Sequence, residues 1–252
     1  MIGVREVEYE AFYDCDALTD VEFGVKLETI QAMAFDYCIS LQKIKMPSVR
    51  LIESGAFSDC DELTDVEFGS NLETIDTYAF DTCPNLRRIA IPLKDDIFQL
   101  DSYSSLCNQF GNCPNLTIVD LVGVEGINKT ISSLFLQSWK DEMNHDMNCI
   151  NQVLPHTTES AKTATIRLWI GSILGKMERY KAEHYRLLNQ ATTLLELAVW
   201  KAKLDEEDMA HSLETKPAQR AKLSDDSIRK DQRVTSGASI VIKNVLPFLK
   251  LE

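Results

Sequence analysis

Apolar positions in the first half of the chain return every 22 or 23 residues. An Ala-Phe-x-x-Cys unit stands at Ala11-Phe12-Tyr13-Asp14-Cys15, Ala34-Phe35-Asp36-Tyr37-Cys38, Ala56-Phe57-Ser58-Asp59-Cys60 and Ala79-Phe80-Asp81-Thr82-Cys83. Val7, Ile30, Ile52 and Ile75 precede the Ala by four residues, and Leu18, Leu41, Leu63 and Leu86 follow the Cys by three. Each copy then carries an alternating triplet, Val21-Glu22-Phe23, Ile44-Lys45-Met46, Val66-Glu67-Phe68 and Ile89-Ala90-Ile91. Alternation of this kind predicts short strands with one buried face, and the fixed period predicts a solenoid. A degenerate fifth copy follows after seven extra residues, in Phe110-Gly111-Asn112-Cys113, Leu116 and Val119-Asp120-Leu121.

From Asn128 the spacing changes from strand to helix. Phe135, Trp139, Met143, Met147, Ile150 and Leu154 form one apolar stripe that Pro155 stops. A second helix is predicted from Thr157-Thr158-Glu159 onward. It carries Ile166, Ile170, Ile173, Met177 and Tyr180, then, after a slip at His184, Tyr185, Leu188, Thr192, Leu195, Val199 and Ala202. That is coiled-coil spacing. In an antiparallel hairpin the shorter first helix leaves the distal part of the second, with Leu187, Leu194, Leu195, Leu197, Val199 and Trp200, in need of cover. Two occupants are open. One is a C-terminal amphipathic segment, 236–252, with Ala238, Val241, Ile242, Val245, Leu246 and Leu249 at helical spacing, although Ile240-Val241-Ile242 also suits a strand. The other is a second copy, giving a homodimer through 185–204.

The expected fold class is therefore α+β by domain. A solenoid of short parallel strands, about five coils with the first incomplete, fills 1–126, and an antiparallel α-helical hairpin with a long second helix fills 127–204. A polar linker, 205–235, and the amphipathic helix of 236–252 complete the chain.

The consensus L-x-x-[IV]-x-[apolar]-[PG], then [VL]-x-x-I-x-x-x-A-F-x-x-C, resembles the BspA-like leucine-rich repeats over residues 4 to about 121. The resemblance implies a right-handed solenoid used for protein–protein contact, with no catalytic residues to carry over. The family includes surface and adhesive proteins. Thr192-Thr193-Leu194-Leu195-Glu196-Leu197-Ala198-Val199-Trp200 and Ile240-Val241-Ile242-Lys243-Asn244-Val245-Leu246-Pro247-Phe248-Leu249, following such repeats, resemble leucine-rich-repeat proteins of diatom algae. That likeness implies no particular activity.

Charge sharpens the picture. The net charge is −13 over 252 residues, but 1–126 holds 8 basic and 23 acidic residues against 18 and 16 afterwards. An acidic solenoid does not suit nucleic acid, whose phosphates need Lys and Arg. The expected partners are other proteins, with no nucleic acid and no membrane. Met1-Ile2-Gly3 opens inside a repeat with no signal-peptide pattern, and no apolar run reaches the length of a membrane span. A cytoplasmic location is expected. The basic clusters at 216–222 and 229–233 keep a nuclear one open. The open first repeat suggests a fragment of a longer array, which also leaves an adhesin fragment as an alternative.

Residues 14–30 match 59–75 at 14 of 17 positions, so the unit of duplication is read as two coils. Stacked in register, the outward strand positions then alternate in sign. One column is Asp20, Lys43, Asp65 and Arg88, a second Glu22, Lys45, Glu67 and Ala90, and a third, on the other short segment, Arg5, Glu28, Arg50 and Glu73. Opposite charges across parallel strands stabilise by about 0.2–1 kcal/mol a pair. The columns are read first as a self-neutralising ladder and second as a partner surface formed by Asp20, Glu22, Lys43, Lys45, Asp65, Glu67 and Arg88. Leu187, Leu194, Leu195, Val199 and Trp200 are the candidate helix-docking residues.

Candidate chemistry is sparse. Five of seven cysteines (Cys15, Cys38, Cys60, Cys83, Cys113) occupy one repeat position, where a thiol behaves as a small buried hydrophobe. Reduced thiols are expected, with an oxidised ladder as the alternative. Neither a zinc site nor a phosphate loop, nucleotide fingerprint or nucleophile elbow is written in the chain, so no cofactor and no enzymatic activity are expected. An enzyme reading requires a pocket built on Asp141, Glu183 or His184.

Overall fold

The computed structural model describes residues 3–99, 108–123 and 135–214, with side chains through 206. The amphipathic segment 236–252, most of the expected linker, both basic clusters, Asp101 and Cys107 lie outside the described residues. The described residues form two compact units. The first holds those up to 123 together with 135–178, and the second holds 179–214.

The repeats build a parallel-strand solenoid of about four turns. On one side β1 (Glu6–Val7), β2 (Thr29–Ile30), β4 (Leu51–Ile52) and β6 (Thr74–Ile75) stack in sequence order. On the other side β3 (Lys43–Met46), β5 (Asp65–Phe68), β7 (Arg88–Pro92) and β8 (Ile118–Val122) do the same. Register follows the repeat, with Thr29 opposite Leu51, Leu51 opposite Thr74, and Lys43, Asp65, Arg88 and Ile118 in one row. Asp20 extends that row through a parallel bridge to Lys43. The degenerate fifth copy thus supplies a full strand. In β3 the residues alternate exposed and buried, the period of two read in the sequence. After β5, the missing side chain of Gly69 admits Pro47, whose carbonyl oxygen would lie 1.8 Å from a Cβ.

The Ala-Phe-x-x-Cys arc has its own physics. Phe12, Phe35, Phe57, Phe80 and Phe110 form one continuous stack, with successive ring centroids 5.0, 5.1, 5.2 and 5.7 Å apart. The residue before each Cys (Asp14, Tyr37, Asp59, Thr82, Asn112) takes a positive φ between 47° and 58°. This turns the N–H along the solenoid axis, so that Tyr37, Asp59 and Thr82 donate to the Ser58, Asp81 and Gly111 carbonyls at 3.0–3.1 Å. A left-handed conformation costs a non-glycine residue about 1–2 kcal/mol, offset at Asp14, Tyr37, Asp59 and Thr82 by a coil-to-coil hydrogen bond.

The cysteines do more than fill space. Cys38, Cys60, Cys83 and Cys113 are fully buried, and each thiol donates to the carbonyl of the Phe one coil earlier: Phe12, Phe35, Phe57 and Phe80, at 3.1–3.3 Å. All described cysteines are free thiols. Burial pushes the Cys38 thiol up to about 11 and raises Cys60 and Cys83 further. Cys15 departs from the expected burial and is half-exposed, because no described coil precedes it to cover its sulfur. Cys149 is exposed on a helix, 3.5 Å from His145 Nε2. Among the described cysteines, maleimide labelling of the native chain, read by peptide mapping, should modify Cys149 first and Cys15 next. Cys38, Cys60, Cys83 and Cys113 should label only after denaturation. Native labelling of Cys60 at the rate of Cys149 would contradict the buried ladder.

The solenoid's last coil is sealed by helix. Leu136–Val153 form α1, and after two short 3-10 turns Lys162–Glu214 form α2. Within the stack, Phe57 N–H and Phe80 N–H donate to carbonyls of the following coil, Ala79 and Gln109. Phe110, in the last coil, donates instead to Thr163 Oγ1 at 3.2 Å, and Val119 N–H to Asn151 Oδ1 at 2.9 Å. Lys162 Nζ donates to the Pro114 and Leu116 carbonyls, both at 2.7 Å. Burial lowers the pKa of its ammonium. Trp139, Met143, Ile150, Leu154, Ile166, Ile170 and Ile173 are buried in this first unit. Trp169 Nε1 and Lys176 Nζ both reach Asp146, through its carbonyl at 3.2 Å and its carboxylate at 2.7 Å. The helix α2 continues to Glu214, ten residues into the stretch expected as polar linker.

Candidate interaction surfaces

The strands β3, β5, β7 and β8 turn Ile44, Val66, Ile89 and Val119 inward and present charge outward. The predicted columns form. Lys43 lies 3.5 Å from Asp65, Lys45 2.7 Å from Glu67, and, on the other strand set, Arg50 2.7 Å from Glu73. Lys43 and Lys45 keep 72% and 68% of their side chains exposed, so both paired cations remain at the solvent surface. Arg88 departs from the ladder as read. Its nearest carboxylate is Asp120 of the next coil, at 2.6 Å, rather than Asp65. Asp120 stands opposite Ala90, in the neighbouring column, and is the next charge of that column after the uncharged Ala90. All seven predicted surface residues line one shallow depression of about 630 Å³.

On the Ala-Phe-x-x-Cys arc, Asp36 is a buried acid. Its side chain is buried, with Oδ1 lacking a hydrogen-bond partner. Burial, then the charges of Asp59 and Glu10 on the flanking coils, push its carboxyl up to about 6, while the Tyr37 N–H and Ser58 hydroxyl oppose the shift. A carboxyl raised in the folded state contributes stability that is full below its unfolded value and lost as pH rises through about 6. Asp36→Asn should therefore match wild type near pH 4 and exceed it at pH 8 by about 2 kcal/mol, as measured by urea unfolding. Equal pH slopes for the two chains would show that Asp36 ionises without penalty.

In the second unit no described side chain is buried. Tyr185, Leu194, Leu197, Val199, Trp200 and Leu204 are exposed, with Trp200 64% accessible, while Leu187 and Leu195 are half-buried. The residues weighed for an enzyme have local partners. Asp141 accepts from Gln137 at 2.9 Å, Glu183 pairs with Arg186 at 2.6 Å, and the His184 ring neighbours Tyr185. Sequence reading missed the end-capping trio Asn151, Lys162 and Thr163. Lys162 and Thr163 stand as polar residues at the start of a stripe that continues as Ile166 and Ile170, and Asn151 follows Ile150 at the end of the first helix.

No helix among the described residues is long and apolar enough to cross a membrane. No curated protein and no solved structure matches the chain. Residues 2–117 match the family model of the BspA type leucine-rich repeat region in six copies. Repeats of this class generally mediate protein–protein interaction and are typically non-enzymatic. With the period, the in-register strands and the match in agreement, residues 2–117 are a BspA-type leucine-rich repeat region.

Proposed function

We propose that the chain is a protein-interaction scaffold whose recognition surface is the charged face of β3, β5, β7 and β8. The observation that carries this reading is the solvent exposure of the charge on that face, above all of the Lys43 and Lys45 side chains, within a depression shared with Asp20, Asp65 and Arg88. Ionic groups so placed steer association and set register more than they add affinity. The helical hairpin read in 127–204 supplies a second docking element, through the apolar stripe at Leu187, Leu194, Leu195, Val199 and Trp200. Its partner is another amphipathic helix, from a second copy or a different protein. An intracellular setting suits the free thiols.

The test is affinity capture from native cells with three baits: wild type, Lys43→Glu/Lys45→Glu, and Leu194→Asp/Trp200→Asp. Partners lost with the first variant and retained with the second identify the strand face as the recognition surface. An identical set of captured proteins from all three baits would sink both assignments.

A further inference from the structure

We infer that the partner recognised by the charged strand face is a second copy of the same face. This rests on the proposed role of that face in protein recognition and deepens it. Because register is exact from coil to coil, charge is arranged in bands across the solenoid axis. Asp20 and Glu22 form a negative band, Lys43 and Lys45 a positive one, Asp65 and Glu67 a negative one, and Arg88 with Ala90 a positive one. Adjacent bands are about 4.8 Å apart. A pattern that alternates in this way is complementary to itself after a half-turn.

Consider a twofold axis parallel to the strands, lying in the interface between the second and third bands. The rotation reverses the order of the bands and keeps each column over itself. Lys43 then faces Asp65 of the other copy, Lys45 faces Glu67, and Asp20 faces Arg88, each contact occurring twice. Glu22 faces the uncharged Ala90. A twofold axis along the solenoid, between the two columns, would instead put each band on its like, Lys43 over Lys45 of the other copy, and is repulsive. The charges therefore select one isologous arrangement out of two. Four bands about 4.8 Å apart, on strands about 15 Å long, cover about 300 Å² per copy. That lies below the size of stable interfaces, so the pairing is transient and sensitive to salt.

Sedimentation of the full chain tests it. At about 20 mM salt the mean mass should rise toward that of a dimer as concentration approaches about 1 mM, and return to monomer at about 500 mM salt. Lys43→Glu/Lys45→Glu alone should be monomeric, because its second band meets an acidic third band. Asp65→Lys/Glu67→Lys alone should be monomeric for the opposite reason. An equimolar mixture should form a heterodimer, since every band of one variant then faces its opposite on the other. A purely intramolecular ladder gives no such rescue. Far-ultraviolet circular dichroism confirms that each variant is folded; should either fail to fold, the salt and concentration dependence of wild type decides alone. Wild type that stays monomeric throughout, or folded variants that ignore each other, overturns the second-copy assignment and leaves binding of other proteins to be judged by the capture experiment. A dimer that survives high salt and both reversals belongs to the apolar stripe of α2 and overturns it equally.

Discussion

Phe57→Ala should destabilise the chain by about 3–5 kcal/mol, the range for deleting a buried aromatic ring. Phe57 is fully buried, stacked on Phe35 at 5.1 Å and on Phe80 at 5.2 Å, with the edge of Phe23 against it. Removing the ring leaves both stacking neighbours with an empty face. The coil backbone cannot collapse into the gap, because Phe57 N–H is held by Ala79 and the Phe57 carbonyl by the Cys83 thiol. In a solenoid each coil is stabilised mainly by its neighbours, so a defect in the third repeat weakens two interfaces. Phe12→Ala, at the half-exposed end of the same stack, should cost less than half as much. Thermal unfolding checks the pair, with a fall of roughly 10 °C or more expected for Phe57→Ala. A loss below about 1 kcal/mol would mean that the stack contributes packing but no rigidity.

Lys162→Met should cost about 2–4 kcal/mol, although it removes a buried charge. The ammonium is the donor for two carbonyls at the end of the solenoid, those of Pro114 and Leu116, and neither thioether nor methyl can replace it. Desolvating a cation is itself unfavourable, but an unpartnered buried carbonyl costs about 1–3 kcal/mol and here there are two. The damage should be local. Hydrogen exchange should accelerate at Phe110, Leu116 and Val119 and remain near wild type at Ile52 and Val66. Uniform acceleration over all coils would show instead that the sealed end holds the whole solenoid together. No change at Phe110 would show that Thr163 and Asn151 suffice.

The solenoid was legible because its information is repeated. One reading of Ala-Phe-x-x-Cys gives the stacking position of Phe35, Phe57 and Phe80 together, and register follows, so Lys43 beside Asp65 and Lys45 beside Glu67 could be placed from spacing alone. Leu194 and Trp200, read from spacing as apolar positions in need of cover, are exposed. What escaped sequence reading was singular. Thr163 lies 53 residues from the amide it caps, in a helix where threonine is unremarkable. Tyr37 and Thr82 are residues that ordinarily avoid positive φ, and in that conformation each donates its N–H to the next coil. The cysteines were read as small hydrophobes, and their donation to the preceding Phe carbonyl became visible only once the coils were stacked. Arg88 was placed in the right row, yet pairs with Asp120 in the neighbouring column, because a long side chain reaches diagonally across the sheet.

The sign alternation of the strand rows imposes a parity on how this repeat array can change in length. Excising the coil that carries Asp65 and Glu67 would bring Lys43 against Arg88, cation on cation. Excising that coil together with the one carrying Lys43 and Lys45 would bring Asp20 against Arg88, and the row would remain neutral. Single-coil insertions meet the same obstacle, since either charge finds its like on one side. Recombination within the array is therefore tolerated in steps of two coils and penalised in steps of one, and even-numbered expansions are the ones that preserve a charge-balanced face.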